Sequence, residues 1–336
     1  MAKVTVLGGG TWGIGLTILL ANAGHDVIVW SAVESEIEML STTHAHKMLP
    51  GATIPESVRY TLDDREAVTD RDILVMAVAS SFTRKTAKRL APQIKDGQII
   101  VDVAKGIEEG TLKTLSEQIS DEIPNADVCV LSGPTHAEEV SRLMPTTIVV
   151  ASHNKETAHF VQDVFMTETF RVYTSSDVKG VELGGSLKNV VALAAGIADG
   201  LGYGDNAKAA LITRGIAEIS RLGVKMGCRP ETFSGLTGMG DLIVTCASMH
   251  SRNRRCGILL GEGKSLKEAQ EEVGMVVEGI YSAKAAIELG RKYEVSLPII
   301  EQVNLILFEG KDAGEAVKEL MLRETTVSRS FEQVRS

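Results

Sequence analysis

The chain opens with a short β-branched run, Lys3-Val4-Thr5-Val6-Leu7, that ends in Gly8-Gly9-Gly10-Thr11-Trp12-Gly13. Ile14, Leu16, Ile18, Leu19, Leu20 and Ala23 then read as a helix with its stop at Gly24, and Asp26-Val27-Ile28-Val29-Trp30 as a second strand. Strand, G-x-G-x-x-G, helix and strand in this order form a dinucleotide-binding unit. The glycines allow a tight turn and close approach of the pyrophosphate, which rests on the helix N-terminus. Gly8, Gly10 and Gly13 are therefore cofactor-binding candidates; the alternative is a glycine-rich βα turn that binds nothing.

The end of the second strand reports on the ribose. An acid there pairs with the 2′-hydroxyl of NAD, whereas a base accepts the 2′-phosphate of NADP. This chain offers Ser31 and Ala32, then Glu34 a little later. Lack of an acid at the strand end removes a repulsion, and a serine can donate to a phosphate, so both NAD and NADP stay open.

Further strands are expected at 73–78, 98–103, 127–131, 146–150 and 169–173, with helical patterns such as Phe82 to Leu90 and Thr111 to Ile119 between them. Near-continuous apolar strands alternating with helices describe a buried, mostly parallel sheet. From Val178 onward the patterns are helical. A chain of 336 residues exceeds what one core usually organises. We therefore expect an α/β fold with a Rossmann-type nucleotide-binding domain over residues 1–177 and an all-α substrate-binding domain over 178–336. Asp205 is read as the cap of a helix from Ala207 to Leu222 closed by Gly223, with later helices at 266–273, 279–292 and 299–308. The polar tail from Arg323 to Ser336 is expected to fray.

At 44% apolar and 24% charged the composition is that of a soluble globular protein, and a net charge of −9 argues against nucleic-acid binding. Cys129, Cys228, Cys246 and Cys256 form no C-x-x-C pair, so reduced thiols in the cytoplasm are expected, with no metal. No apolar run is read as approaching the roughly 20 residues of a membrane span. An acidic chain that takes an anionic substrate needs a local basic pocket.

Four elements carry candidate chemistry. Lys105, in Ala104-Lys105-Gly106, follows a strand at the sheet edge where α/β folds bind ligands; it is otherwise a solvated loop lysine. Ser132-Gly133-Pro134-Thr135-His136 also follows a strand, with Thr135 as a possible helix cap. Gly184-Gly185-Ser186-Leu187-Lys188-Asn189 is read as the opening of an apolar helix at the junction of the two halves. There Lys188 is either a proton donor with a lowered pKa or a lysine snorkelling from a helix end. Asp241, after two glycines, is its candidate partner or else an N-cap. Ser251-Arg252-Asn253-Arg254-Arg255 places guanidiniums in a helix's first turn, which opposes the dipole unless a phosphate binds there.

Together these stretches resemble the bacterial NAD(P)-dependent glycerol-3-phosphate dehydrogenase family. The resemblance is carried by GGGTWG at 8–13, VAKGIE at 103–108 and SGPTHAEE at 132–139. It continues through LGGSLKNVVALAAGIADGLGYGDNAKAALITRG at 183–215, GLTGMGDLIVTC at 235–246, SRNRRCG at 251–257 and VVEG at 276–279. It implies reduction of dihydroxyacetone phosphate to sn-glycerol 3-phosphate, supplying glycerophospholipid synthesis, by a homodimer that uses NAD or NADP. By motif, Lys188 is the general acid, Asp241 holds it, and Lys105 reaches both substrate and cofactor. Gly133, Thr135 and Asn189 fall in the substrate pocket, while Ser251, Arg252 and Asn253 clasp the phosphate. Thr11, Trp12, Ala137, Arg252, Val276 and Glu278 fall at cofactor contacts. Ala32 departs from the His or Arg common in the family, leaving NADPH preference unsupported.

Two rivals are weighed. A β-hydroxyacid dehydrogenase shares a G-x-x-x-K-x-x-x-N helix, but position 192 is Ala and the asparagine stands at 189. One residue is about 100° around a helix, so the geometry differs. A non-catalytic NAD(P)-binding redox sensor would keep the glycine loop but has no use for Lys105, Lys188, Asp241 and Arg252 together.

Overall fold

A computed structural model describes residues 1–323, so the tail reading beyond Arg323 lies outside the described residues. Eight strands form one sheet: β1 (Lys3–Leu7), β2 (Asp26–Trp30), β3 (Arg59–Thr61), β4 (Ile73–Met76), β5 (Ile99–Asp102), β6 (Asp127–Ser132), β7 (Thr146–Ala151) and β8 (Phe170–Ser175). Their order is β3-β2-β1-β4-β5-β6-β7-β8, parallel throughout except where β7 runs against β6. The order reverses at β1, which pairs Lys3 with Asp26 on one side and Val4 with Ile73 on the other. The loops after β1 and β4 therefore leave in opposite directions and open a crevice at the sheet's carboxyl edge.

Between the strands lie α1 (Thr11–Asn22), α2 (Glu34–Thr43), α3 (Asp64–Val68), α4 (Thr83–Leu90), α5 (Leu115–Glu122), α6 (Ala137–Val140) and α7 (Lys155–Phe165). The second half holds α8 (Val178–Gly200), α9 (Asp205–Lys225), α10 (Pro230–Ser234), α11 (Asp241–Ala247) and α12 (Arg252–Gly261). It ends with α13 (Leu266–Val273), α14 (Glu278–Lys292), α15 (Pro298–Glu309) and α16 (Ala313–Leu322). The expected fold class, a mostly parallel sheet followed by helices, is borne out.

α8 is the spine of the helical half. Leu187, Val190, Val191 and Leu193 are buried in one cluster with Ile219 and Leu222 of α9, Leu260 of α12 and Ala283 of α14. Each such side chain stabilises the fold by about 1.5–3 kcal/mol when taken out of water. Glycines let α12 lie directly on α8. A Cβ at Gly257 would stand 2.2 Å from the Leu193 carbonyl oxygen, and one at Gly196 would stand 2.1 Å from that of Arg254. Gly200 and Gly261 repeat the same contact one turn on, with clearances of 2.2 and 2.3 Å.

Several expectations are corrected. Lys188 does not sit near a helix start: α8 begins ten residues earlier by number, at Val178, capped by Asp177 through the Gly180 N–H at 3.1 Å. Gly184 and Gly185 look like a break in sequence, yet they are sites of close packing. A Cβ there would lie 2.7 Å from the Thr237 carbonyl oxygen and 2.8 Å from the Ser132 hydroxyl, respectively. The membrane reading also changes, since α8 has 23 residues and an 18-residue window within it reaches a mean hydropathy of 1.3, long and apolar enough to cross by length and composition alone. Protein surrounds all of that stretch, and among the described residues no other helix meets the same test.

α9 begins at Asp205 with Gly204 as its cap and runs past Gly223, which is small because the Phe233 ring packs against it. The helix expected from Thr111 starts only at Leu115. Thr114 and Glu117 form a reciprocal capping box there, which fixes the boundary. β3 and α2, for which the sequence reading named no element, complete the β2 side of the crevice.

Candidate active site

The crevice widens into a cleft of about 580 Å³ between the sheet edge and the helical half. Its floor at the sheet is the glycine loop. Gly8 has φ +119°, and a Cβ there would press on the Ala77 carbonyl at 2.9 Å. A Cβ at Gly13 would meet the Gly8 oxygen at 2.4 Å, whereas Gly10 faces open space. α1 starts without a side-chain cap at Gly10, so its first N–H groups turn toward the cleft. An open backbone cradle at an uncapped helix start fits a dinucleotide pyrophosphate. Thr11 and Trp12 line the cleft, and Gly8 and Gly13 shape the loop from beneath.

Across the cleft α8 presents Lys188 and Asn189, each about 5% exposed. The Lys188 ammonium donates to Asp241 Oδ1, and to the Thr245 hydroxyl at 2.6 Å. Lys105, reaching over from the loop after β5, donates to Asp241 Oδ2 at 2.7 Å and to the Gly133 carbonyl at 3.4 Å. One carboxylate thus holds two lysines from opposite halves of the chain. Burial lowers the Lys188 ammonium to about 7, with Asp241 opposing the shift and Lys105 adding to it. Burial alone would raise the Asp241 carboxyl, but the two ammonium groups outweigh it and leave it below its ordinary value.

Asp241 is the first residue of α11 and caps nothing with its side chain, so the N-cap alternative is set aside. It follows a π-helical turn, Leu236–Gly240, whose Gly238 packs where a Cβ would strike the Phe233 carbonyl at 2.1 Å. Thr135 likewise does not cap α6. His136 is the cap residue, and the Thr135 hydroxyl donates back to the Gly133 carbonyl at 3.2 Å. Thr135 and Ala137 line the cleft, while Gly133 packs against Ile148 with 3.1 Å for a Cβ.

Ser251 is the N-cap of α12 as expected, accepting from the Arg254 N–H at 3.2 Å. Arg252 lines the cleft in the first turn; burial lowers its guanidinium and Glu278 opposes that shift. Asn253 is largely spent inside the protein. Its Nδ2 donates to Asn189 Oδ1 at 3.0 Å, and its Oδ1 accepts from the Gly279 N–H at 2.8 Å. It joins α8, α12 and α14, and it retains its backbone N–H and one amide hydrogen for a ligand. Arg254 points away, bonding Asp199 at 2.8 Å and the Ala247 carbonyl at 2.8 Å.

Val276 and Glu278 close the far rim. Ser80, in the loop after β4, donates to Glu278 at 2.6 Å and so bridges the two halves over the cleft. Sequence reading missed Ser80, although it occupies the same sheet edge as Lys105. Thr245 was also missed; its spacing of four from Asp241 places both on one helix face. His46, Lys47, Met48, His250 and Arg255 line the cleft too, with no local sequence signal. Ser31 is not a free donor: its hydroxyl donates to Glu36 at 2.5 Å and accepts from the Val33 N–H at 3.1 Å.

Comparisons with known proteins agree with this geometry. The profile of the NAD-dependent glycerol-3-phosphate dehydrogenase N-terminus matches residues 3–158, and that of the C-terminus matches 177–318. A glycerol-3-phosphate dehydrogenase (NAD(P)+) of Agathobacter rectalis is 61% identical, covering 98% of both chains. One from Fusobacterium nucleatum is 60% identical over 96% of this chain and 98% of the relative. The crystal structure of glycerol-3-phosphate dehydrogenase from Coxiella burnetii superposes with a TM-score of 0.92 at 36% identity, covering 96% of this chain and 99% of that one. Neither the β-hydroxyacid dehydrogenase reading nor the sensor reading accounts for matches of this extent. With both halves matched and the two lysines meeting on one carboxylate, the chain belongs to the NAD-dependent glycerol-3-phosphate dehydrogenase family.

Proposed function

We propose that this chain reduces dihydroxyacetone phosphate to sn-glycerol 3-phosphate, reversibly, with Lys188 as the general acid and base. The observation that carries the reading is the Lys188 ammonium, buried at the cleft, held by Asp241 and Thr245 and lowered to about 7. A donor of that acidity is half protonated near neutrality, so it serves both directions of the reaction. A reduced nicotinamide held in the cleft would supply the hydride for the carbonyl carbon. Lys188 Nζ gives its proton to the oxygen on which negative charge develops, and Asp241 holds the amine in place.

Lys105 adds a second positive charge beside that oxygen and spans toward the cofactor. Arg252, the Asn253 N–H and the capped start of α12 hold the substrate phosphate, with Ser251 fixing the turn. Gly133 and Thr135 shape the wall beside the carbonyl. The phosphate clamp lies away from the reacting carbon, so it supplies orientation rather than chemistry. Gly8, Gly10, Thr11, Trp12, Gly13, Ala137, Val276 and Glu278 hold the dinucleotide.

We assign nucleotide binding to residues 1–177 and substrate binding to 178–336, supported by the change from strand to helix after Ser175. We also place the enzyme in the cytoplasm as a homodimer supplying phospholipid synthesis. The four cysteines, all buried and free, suit a reducing compartment. The test is oxidation of NADH or NADPH by the purified protein on adding dihydroxyacetone phosphate, with light scattering for mass. Cofactor binding without turnover, or turnover of an unphosphorylated 2-keto acid instead, overturns the assignment; a single-chain mass overturns the dimer.

A further inference from the structure

The crevice beside β2 holds a carboxylate that the strand end itself lacks. Glu36 lies in the first turn of α2, but its side chain turns back over the glycine loop. Its Oε2 accepts from the Ser31 hydroxyl at 2.5 Å and from the Gly9 N–H at 3.3 Å. Gly9 must be glycine for this approach, since a Cβ there would stand 2.8 Å from the Glu36 carboxyl. Gly8 in turn ties the loop to the end of β2, its N–H donating to the Trp30 carbonyl at 2.8 Å. Glu36 is thus pinned between the end of β2 and the first glycines, where a dinucleotide fold lays its adenosine ribose.

Its other oxygen, Oε1, accepts no hydrogen bond among the described residues. A carboxylate anchored through one oxygen and open through the other can accept from a vicinal diol. It also repels a 2′-phosphate placed on the same spot. No cation at position 32 offsets that repulsion, because Ala32 is there. Of the basic groups on the adjoining segment, the buried His46 lies within electrostatic reach of Glu36, and burial lowers its imidazole toward the neutral form, while Lys47 is exposed and solvated. A free lysine in water screens poorly against an anchored acid at contact distance.

We propose that Glu36 is the specificity-determining residue for the adenosine ribose, and that it selects NADH over NADPH by accepting from the 2′-hydroxyl. Ser31 is its positioning residue rather than a phosphate donor. The inference rests on the reading of the glycine loop as the dinucleotide site.

The test is equilibrium titration of the full chain with NADH and with NADPH, followed by nicotinamide fluorescence, with no substrate present. The native protein is expected to bind NADH roughly ten- to a hundredfold more tightly than NADPH. Glu36→Gln is expected to narrow that gap by about tenfold, by weakening NADH and tightening NADPH, with an unchanged unfolding midpoint reporting an intact fold. Equal or tighter binding of NADPH by the native protein overturns the proposal, as does an unchanged ratio in Glu36→Gln. Binding of neither nucleotide overturns the dinucleotide reading itself, which separates that failure from an error about Glu36.

Discussion

Lys188 is chemically useful because two neighbours pull on it in opposite senses. Burial and Lys105 favour the neutral amine, and Asp241 favours the ammonium. Lys188→Ala is expected to lower kcat by roughly 10²–10⁴ with NADH binding retained; near-native turnover would remove it as the acid. Its pH dependence follows from the sign of the shift. With the protonated amine as the proposed donor, kcat/KM for ketone reduction should fall as pH rises through about 7, while alcohol oxidation should rise. In Asp241→Asn the attraction that raises the amine is gone, so the inflection should move to lower pH. An inflection that stays in place would mean another group titrates. The proposed role of Arg252 is at the other end of the substrate. Arg252→Ala should raise KM for the phosphorylated ketone well above any change in kcat, and an equal KM would place the phosphate elsewhere.

At the scale of elements, the site depends on how closely α12 approaches α8. Arg252 and Asn253 ride at the start of α12, and its glycines set the distance to Lys188 and Asn189. Gly257→Ala must push the helices apart against backbone. A loss of about 1–3 kcal/mol in denaturant unfolding is expected, together with a raised KM for the phosphate-bearing substrate. Unchanged unfolding would show that the crossing is slack. The glycine loop, the sheet-edge lysine, Ser251 as a cap and α13 were legible because each rests on a local pattern. Other elements were not. Gly184-Gly185 reads as a break unless one knows that Thr237 and Ser132 press against it. Glu36 escapes notice because the acid belongs to a helix turn and reaches the loop only when α2 folds back. Asn253 looks like a ligand residue, and only the helix crossing shows its amide tied to Asn189 and Gly279.

Across the whole molecule, buried acids join elements far apart in sequence. Glu182 of α8 accepts from the N–H and hydroxyl of Ser116 at 2.8 and 2.6 Å, docking α5 onto the spine. Glu218 of α9 accepts from the N–H of Ile299 at 2.9 Å, capping α15 where Pro298 begins it. Burial raises both carboxyls from 4.5 to about 7. Between those values the folded chain holds a proton that the unfolded chain has released, so stability falls as pH rises through that window. Glu182→Gln cannot lose that proton. Its unfolding midpoint relative to the native chain should climb between pH 4.5 and about 7, and a flat difference would show Glu182 titrating normally.

α8 also sets a condition on how the chain is made. During synthesis this greasy rod leaves the ribosome before α9, α12 and α14, the helices that later sheathe it. Until α12 emerges, the nascent chain displays an apolar segment with the length of a membrane span. A messenger truncated between Gly200 and Arg252 should therefore yield a product that binds chaperones and precipitates, although all eight strands of its sheet have been made.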